Sequence, residues 1–164
     1  MTQTNCPKTL LIVLTWLFAA IMPALGQSAL KLQLSAPAVQ SAPVELSLDA
    51  LDALEQVEFS TNTIWTDEEA TFSGVPLKTL LALLNATGQT VEMIALNDYA
   101  VSMPVAELED NAPIVATRMN GAPMSVRGKG PFWVVYPYDR AAKYQSETAY
   151  SRSIWQLRQL RVMD

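Results

Sequence analysis

Residues 72–85 have the sequence FSGVPLKTLLALLN and contain the best-defined helix of the chain. Four of its leucines lie at i, i+3, i+4 and i+7, the spacing that places apolar side chains on one helix face: Leu77, Leu80, Leu81 and Leu84. Pro76 suits the first helical turn, because an N–H at that position would have no partner within the helix. We therefore predict a helix over residues 76–85, preceded by a polar loop over residues 62–73.

Short strands are predicted on both sides of this helix. Alternation of apolar and polar residues, or a continuous apolar run, indicates strands at residues 30–34, 57–61, 91–96, 99–103, 114–119 and 132–136. Ser47 caps a short helix, and Asn120-Gly121 is typical of a type I′ hairpin turn. Residues 155–162 form either a strand with a bulge or a helix. The predicted fold class is α+β, a single mixed domain of short strands and a few short helices.

The N-terminal segment has the pattern of a secretory signal peptide. Its beginning is polar with one positive charge at Lys8, residues 10–25 are apolar apart from Thr15, and small residues precede a cut before Gln27. The apolar run is shorter than the roughly 20 residues needed to span a bilayer. We therefore predict a signal peptide at residues 1–26 and a mature domain at residues 27–164. The expected location is the periplasm or the exterior, without stable membrane insertion after cleavage.

The chain lacks two residue types on which many enzymes depend. Its 164 residues include no histidine, which excludes an imidazole general base and a histidine-ligated zinc site. Its one cysteine, Cys6, lies within the predicted signal peptide. The mature domain would therefore have no disulfide, and it would have no thiolate to offer a metal.

Charge is distributed unevenly along the sequence. Residues 27–117 carry 13 acidic and 2 basic side chains, a net charge of −11, whereas residues 118–164 carry 3 acidic and 8 basic ones, a net charge of +5. Either the two halves pair their surface charges, or basic residues of the second half line a cleft for an anion. The candidates for that cleft are Arg118, Arg127, Lys129, Arg140 and Lys143. Nucleic acid is an unsuitable partner for an exported chain of net charge −5.

Five sequence elements, in order, resemble the oxidoreductase molybdopterin-binding domain, which has the sulfite-oxidase-like fold. Residues 72–81 (FSGVPLKTLL) resemble that family's F-x-G-V-P-L…LL element, and residues 97–104 (NDYAVSMP) resemble its G-Y-x-x-x-[IL]-P strand. Residues 120–124 (NGAPM) resemble N-G-x-P-L, residues 130–137 (GPFWVVYP) resemble G-P-L-R-L-V-x-P, and residues 155–162 resemble the closing strand. The resemblance implies a mixed α+β domain whose loops hold a pyranopterin with molybdenum.

The resemblance also implies a metal ligand that this sequence lacks. In active members a cysteine thiolate ligates the metal about a dozen residues before the glycine that corresponds to Gly74, and counting back reaches Thr61, Asn62 and Thr63. A hydroxyl or an amide does not replace a soft thiolate as a strong metal ligand. The family's arginine in G-P-L-R corresponds to Trp133, and the twin-arginine signal of proteins exported with a loaded cofactor is absent. We therefore expect no cofactor, with molybdopterin as the one that the resemblance allows.

Two functions follow from the resemblance and these departures. In the first, the chain is a degenerate, exported member of the family that binds a small organic anion or an envelope protein. In the alternative, it is a periplasmic molybdopterin-dependent oxidoreductase whose pterin has no cysteine ligand, so the sequence leaves open whether the chain is an enzyme. The same side chains serve both functions: Thr61 and Asn62 at the thiolate position, Trp65 and Tyr99 as pocket walls, and Arg127 and Lys129 as ligands of a phosphate or another anion.

Three local features have two interpretations each. Trp65 stands in a polar loop, where it either covers the core or stacks on a planar ligand. Arg127 and Lys129 belong to a glycine-rich bend, which either binds an anion with its amides and cations or is a solvated turn. The tyrosine-rich segment 136–144 either forms an exposed recognition surface or contains a local ion pair between Asp139 and Arg140.

Overall fold

The computed structural model describes residues 30–39 and 42–164, which form two β-sheets and three short α-helices. The described strands are β1 (Leu32–Ser35), β2 (Val44–Leu46), β3 (Val57–Thr61), β4 (Ala70–Pro76), β5 (Thr90–Ala95), β6 (Ala100–Pro104), β7 (Ile114–Met119), β8 (Ala122–Pro123), β9 (Trp133–Val135) and β10 (Leu157–Met163). The described α-helices are α1 (Leu48–Asp52), α2 (Leu77–Ala82) and α3 (Glu147–Arg152). The predicted signal peptide lies outside the described residues. Within those residues, no helix is both long enough and apolar enough to cross a bilayer.

Each sheet has five strands. The first has the order β2-β1-β10-β5-β6, in which β1 and β10 are parallel and the other neighbours are antiparallel. The second has the order β3-β4-β7-β8, and β9 also pairs with β7, all antiparallel. This mixture of short strands and short helices confirms the predicted α+β class.

Most predicted elements occur close to their predicted positions. β3 has the predicted bounds, and the Ser47 hydroxyl caps α1 by accepting a hydrogen bond from the Ala50 N–H at 3.2 Å. The turn after β7 has a positive φ at both Asn120 (52°) and Gly121 (77°), as a type I′ turn requires. The apolar run at residues 132–136 contains β9, in which all three residues are buried.

The predicted loop over residues 62–73 is wrong in its last part, because β4 begins at Ala70. Every second residue at the start of this strand is buried, but small and hydroxyl side chains hide the alternation in the sequence. Gly74 packs against the backbone of β7, where a Cβ atom would lie only 2.1 Å from the carbonyl oxygen of Val115. The strand continues to Pro76, so the helix begins one residue later than predicted.

The C-terminal segment is a strand with a bulge rather than a helix. β10 pairs with β5, and the register of the pair shifts between Leu157 and Gln159. This shift accommodates the change of parity among the apolar residues. α3, which the sequence analysis did not assign, follows Ser146, whose hydroxyl accepts a hydrogen bond from the Ala149 N–H at 3.2 Å.

The buried apolar side chains form two clusters. The first joins the first sheet to the leucines of α2. The second lies on β4, β7 and β9, and it contains Phe72, Trp133 and Tyr138, each at most 2% exposed. The aromatic side chains of this second cluster border the candidate site.

Candidate functional site

A cleft of about 290 Å³ opens beside the second hydrophobic cluster, and we call it the Trp65 cleft. Four elements line it: the β3–β4 loop, the β5–β6 hairpin, α3 and the segment before β10. The lining residues are Trp65, Ala95, Asn97, Tyr99, Tyr150, Ser151, Ser153, Ile154 and Trp155. The structure thus brings together the two residues that the sequence predicted as pocket walls, Trp65 and Tyr99.

Trp65 is the centre of the aromatic side chains around this cleft. Its ring centroid lies 5.8 Å from that of Trp133, 6.2 Å from Tyr138, 5.9 Å from Tyr150 and 5.8 Å from Trp155. All four pairs are edge-to-face, and such pairs contribute about 0.5–1.5 kcal/mol each beyond their buried area. The half-buried indole therefore packs against the core and lines the cleft at the same time.

The rim of the cleft exposes aromatic surface. Tyr99 is 53% exposed and Trp155 is 39% exposed. The β5–β6 turn positions Tyr99, because the Asp98 N–H donates to the Ala95 carbonyl at 3.1 Å and the Tyr99 N–H donates to the Asn97 side-chain oxygen at 3.2 Å. Exposed aromatic side chains beside a cavity are typical of a site that another molecule covers.

Ser153 holds the buried end of the cleft together. Its hydroxyl donates to the Ala149 carbonyl at 2.7 Å, so the Tyr138 hydroxyl, 2.6 Å away, is the donor in the other bond. The Ser153 carbonyl accepts a hydrogen bond from Trp133 Nε1 at 3.1 Å. Burial raises the pKa of Tyr138, which keeps its hydroxyl protonated at neutral pH. These bonds fix α3, and with it Tyr150, against the buried Trp133.

Thr61 and Asn62, at the position that the resemblance assigns to the metal-ligating thiolate, both bind Asp139. The backbone N–H and the side-chain amide of Asn62 donate to one oxygen of the Asp139 carboxylate at 2.6 and 3.0 Å. The buried Thr61 hydroxyl donates to the same oxygen at 3.3 Å and accepts from the Asp139 N–H at 3.1 Å. The hydrogen bonds from the Asn62 backbone and side chain lower the pKa of the Asp139 carboxyl. We call these three residues the Asp139 clamp; it ties the loop of Trp65 to the turn of Tyr138.

Arg127 and Lys129 lie outside the lining of the Trp65 cleft, on and beside a 3₁₀ turn (Val126–Gly128). The amides that the sequence analysis offered to an anion are used locally, because the N–H groups of both glycines next to Lys129 donate to Ser125 at 2.8–3.1 Å. Lys129 Nζ lies 5.7 Å from the centroid of the Trp133 ring, and Arg127 is exposed. Two backbone amides of this bend are therefore already paired with Ser125, and anion binding by Arg127 and Lys129 stays a prediction.

The two oppositely charged halves of the sequence pair with each other. Five described ion pairs join them: Asp52–Arg118, Glu92–Arg161, Asp98–Arg158, Glu107–Arg152 and Glu109–Lys143. Two candidates for the anion cleft, Arg118 and Lys143, are thereby matched with carboxylates, and Arg140 lies 5.8 Å from the Phe59 ring centroid. These contacts support surface pairing as the cause of the charge asymmetry.

Segment 136–144 is not an exposed recognition surface. Its three tyrosines, Tyr136, Tyr138 and Tyr144, are between 2% and 7% exposed because they pack in the second hydrophobic cluster. The described hydrogen-bond partners of Asp139 are Thr61 and Asn62, the two other residues of the Asp139 clamp.

The sequence did not indicate that Tyr150 and Trp155 line the cleft, or that Asp139 binds Thr61 and Asn62. Tyr150 lies in α3, whose one local signal is the capping Ser146. Trp155 alternates with Leu157 and was assigned only to the closing strand. The partners of Asp139 lie 77 and 78 residues earlier, so no local pattern reveals them.

The ordered motifs and the two sheets, one mixed and one antiparallel, define a sulfite-oxidase-like domain. The family model described as "Oxidoreductase molybdopterin binding domain" matches residues 22–144, and the chain belongs to this family. No match was found among curated proteins. The crystal structure of the sulfane dehydrogenase SoxCD from Paracoccus pantotrophus is similar in fold, with a TM-score of 0.64 and 15% sequence identity. The similarity covers 85% of this chain but 39% of the SoxCD chain, so the present chain spans about two fifths of that chain's length.

The side chains at the thiolate position do not fit a thiolate-ligated molybdenum. The hydroxyl of Thr61 and the amide of Asn62 are hard donors that already bind Asp139, and the described residues contain no cysteine. Within the same residues, no group of three or more histidine, cysteine, aspartate or glutamate side chains is placed to hold a metal ion. The donor set at this position therefore differs from the one that the resemblance implies.

Proposed function

We propose that this chain is an exported member of the molybdopterin-binding domain family that binds a small molecule in the Trp65 cleft and does not use molybdenum. The observation that carries the proposal is the Asp139 clamp. The position assigned to the metal-ligating thiolate holds a hydroxyl and an amide, both hydrogen-bonded to a carboxylate. A soft metal gains no ligand there, whereas the loop that follows places Trp65 in a cleft.

The size and lining of the cleft support a small ligand. Its volume of about 290 Å³ is near the lower end of the range of about 300–1,000 Å³ typical of ligand pockets. Aromatic side chains dominate the lining, and Asn97 and Ser151 add a few polar groups. The Asp139 clamp and Ser153 hold the walls in place before binding, which reduces the entropy lost when a ligand is ordered.

Export is part of the proposal, and it rests on the pattern of residues 1–26. The mass of the protein recovered from the periplasm tests it. We expect a chain that begins at Gln27; an uncleaved chain recovered from the cytoplasm would contradict this part.

Metal analysis tests whether molybdenum is used. The protein should be isolated from the envelope of its own host, and we expect it to contain no stoichiometric molybdenum. Stoichiometric metal together with turnover that Asn62→Ala or Arg127→Ala abolishes without unfolding would overturn the proposal. That result would establish the oxidoreductase alternative.

Tryptophan fluorescence tests the ligand site. A small-molecule screen against the exported protein should give ligands that change the emission of Trp65 and Trp155. We expect Trp65→Leu to abolish their binding and Ile64→Ser to preserve it, because Ile64 is exposed and does not line the cleft. Ligands whose binding survives Trp65→Leu would contradict the proposed site.

An envelope protein is the second candidate for the occupant of this surface. The observation that favours it is the exposure of Tyr99 and Trp155, at 53% and 39%. A photo-crosslinking residue at position 99 should then capture one defined envelope protein. Trp155→Ser should abolish that crosslink, while the matched control Leu83→Ser, at a residue that is 41% exposed and distant in sequence, should preserve it.

A further inference from the structure

The geometry points to an organic cation, of the quaternary-ammonium class, as the ligand of the Trp65 cleft. This inference rests on the proposed small-molecule site and adds the chemical class of its ligand. A cation lying on an aromatic face is attracted by the negative potential of the ring, and several such faces around one cavity form an aromatic cage.

Four aromatic side chains from four different elements line the cleft. Trp65 meets Tyr150 at an interplanar angle of 86° and Trp155 at 79°, so the walls form corners rather than a parallel slot. Tyr99 lies on the rim. Perpendicular faces contact a compact, convex group from several directions, whereas a flat ring stacks face to face on only one of them. The arrangement therefore favours a rounded cationic head group over a planar ring.

The polar groups of the cleft offer little to an anion. None of the described residues that line it is charged. The Ser153 hydroxyl already donates its proton to the Ala149 carbonyl. Arg158 donates its Nε–H to the carbonyl of the lining residue Ala95 at 3.0 Å, and its guanidinium is paired with Asp98 within the chain. Lys129 lies over the ring of Trp133, which is buried and is not a lining residue. An anionic head group would consequently meet ring faces without a charged donor.

The charges that flank the cleft suit a cation. Asp98, between Asn97 and Tyr99 in the β5–β6 turn, is already paired with Arg158 and adds no unpaired negative charge. Three exposed acidic residues, Asp67, Glu68 and Glu69, follow Trp65 in its own loop. The surrounding potential therefore attracts positive charge toward the aromatic walls.

Aromatic rings elsewhere in the second hydrophobic cluster already contact cations of the chain itself. Lys143 lies 4.9 Å from the Tyr144 centroid, Arg140 lies 5.8 Å from that of Phe59, and Lys129 lies over Trp133. Among the described residues, none of these contacts uses a ring that lines the cleft. These described cations of the chain therefore do not compete for the rings that line the cleft.

Choline and its neutral isostere 3,3-dimethylbutan-1-ol test the inference, because the two have nearly the same shape and differ in charge. Binding of each to the exported protein should be measured by tryptophan fluorescence and calorimetry, with benzoate as the anionic probe. We expect choline to bind at least about tenfold more tightly than the isostere. Tyr99→Leu and Trp65→Leu should each weaken choline binding by about tenfold or more, and Ile64→Ser should leave it unchanged.

If Trp65→Leu does not fold, Tyr99→Leu still tests the inference. Tyr99 is exposed, so the melting curve of the Tyr99→Leu variant should match that of the parent protein. Equal affinity for choline and the isostere, or tighter binding of benzoate, would overturn the cation inference while leaving a small-molecule site in the Trp65 cleft. Absence of binding by all three probes would also overturn it. The proposed function would then be judged by its own screen and metal analysis.

Discussion

Replacing Ser153 with alanine should destabilise the protein, because the buried Tyr138 hydroxyl would lose its partner. Both residues are 2% exposed, so water does not readily replace the bond. A buried polar group left unsatisfied costs about 1–3 kcal/mol, and loss of the bond to the Ala149 carbonyl adds about 0.5–1.5 kcal/mol. We therefore expect Ser153→Ala to lower the free energy of unfolding by about 2–4 kcal/mol.

Tyr138→Phe is the matched control for this prediction. It removes the same hydrogen bond, but it also removes the hydroxyl that would otherwise be stranded, and Ser153 keeps its bond to Ala149. The expected cost is about 0.5–1.5 kcal/mol. In the double variant no tyrosine hydroxyl is left unpaired, so its total cost should be smaller than the sum of the two single costs by about 1 kcal/mol.

Urea unfolding followed by tryptophan fluorescence measures these free energies. A shift of the midpoint with an unchanged slope reports a change in stability alone. Strictly additive costs, or a smaller cost for Ser153→Ala than for Tyr138→Phe, would refute the argument that the two hydroxyls bond to each other away from water.

Three further predictions address the clamp, the sheet and the cations. Hydrogen bonds lower the folded-state pKa of Asp139, so the clamp stabilises the protein at neutral pH. This contribution is lost as the pH falls below the ordinary pKa of 3.8. The difference in melting temperature between the native chain and Asp139→Asn should therefore shrink as the pH is lowered through that region. Gly74→Ala should prevent accumulation of folded protein, because the new Cβ would lie 2.1 Å from the Val115 carbonyl oxygen. Gly121 has open space around it but a φ of 77°, so Gly121→Ala should lower the free energy of unfolding in urea by about 1–2 kcal/mol. Lys129→Met should leave choline affinity within about twofold in calorimetry, whereas a several-fold loss of affinity for benzoate would favour the anion that the charge pattern predicted.

The sequence predicted those elements whose signals are local. Three examples each depend only on residues close together in the sequence: the leucine spacing of α2, the cap at Ser47 and the two positive-φ residues after β7. β4 was partly missed because small and hydroxyl side chains hide the alternation of its first residues, and because the next residue, Gly74, is buried by the backbone of β7. The burial of Gly74 depends on contact with β7, about 40 residues later in the chain, and a glycine adds no apolar residue to the sequence pattern.

The candidate site was predicted in part, for the same physical reason. Trp65 was a candidate because an indole is unusual in a polar loop. Tyr99 was a candidate because it lies in residues 97–104, which resemble a motif of the family. For Asp139 the sequence allowed either a place on an exposed recognition surface or an ion pair with its neighbour Arg140, whereas the structure pairs it with Asn62. Local proximity suggested an ion pair, but two amide donors and a hydroxyl satisfy the carboxylate more completely than one flexible, solvated guanidinium would.

The clamp and the Ser153 network together explain what holds the walls of the Trp65 cleft in place. The clamp fixes the start of the Trp65 loop to the turn that carries Tyr138, and Tyr138 in turn bonds to Ser153 at the end of α3. α3 carries Tyr150, so the loop of Trp65 and the helix of Tyr150 are linked through these hydrogen bonds and the backbone between Tyr138 and Asp139. A thiolate at position 61 would accept the Asp139 N–H less well and would place a second negative charge beside the Asp139 carboxylate. Thr61 and Asn62, at the position that the resemblance assigns to the thiolate, therefore supply the polar link that holds the aromatic walls in place.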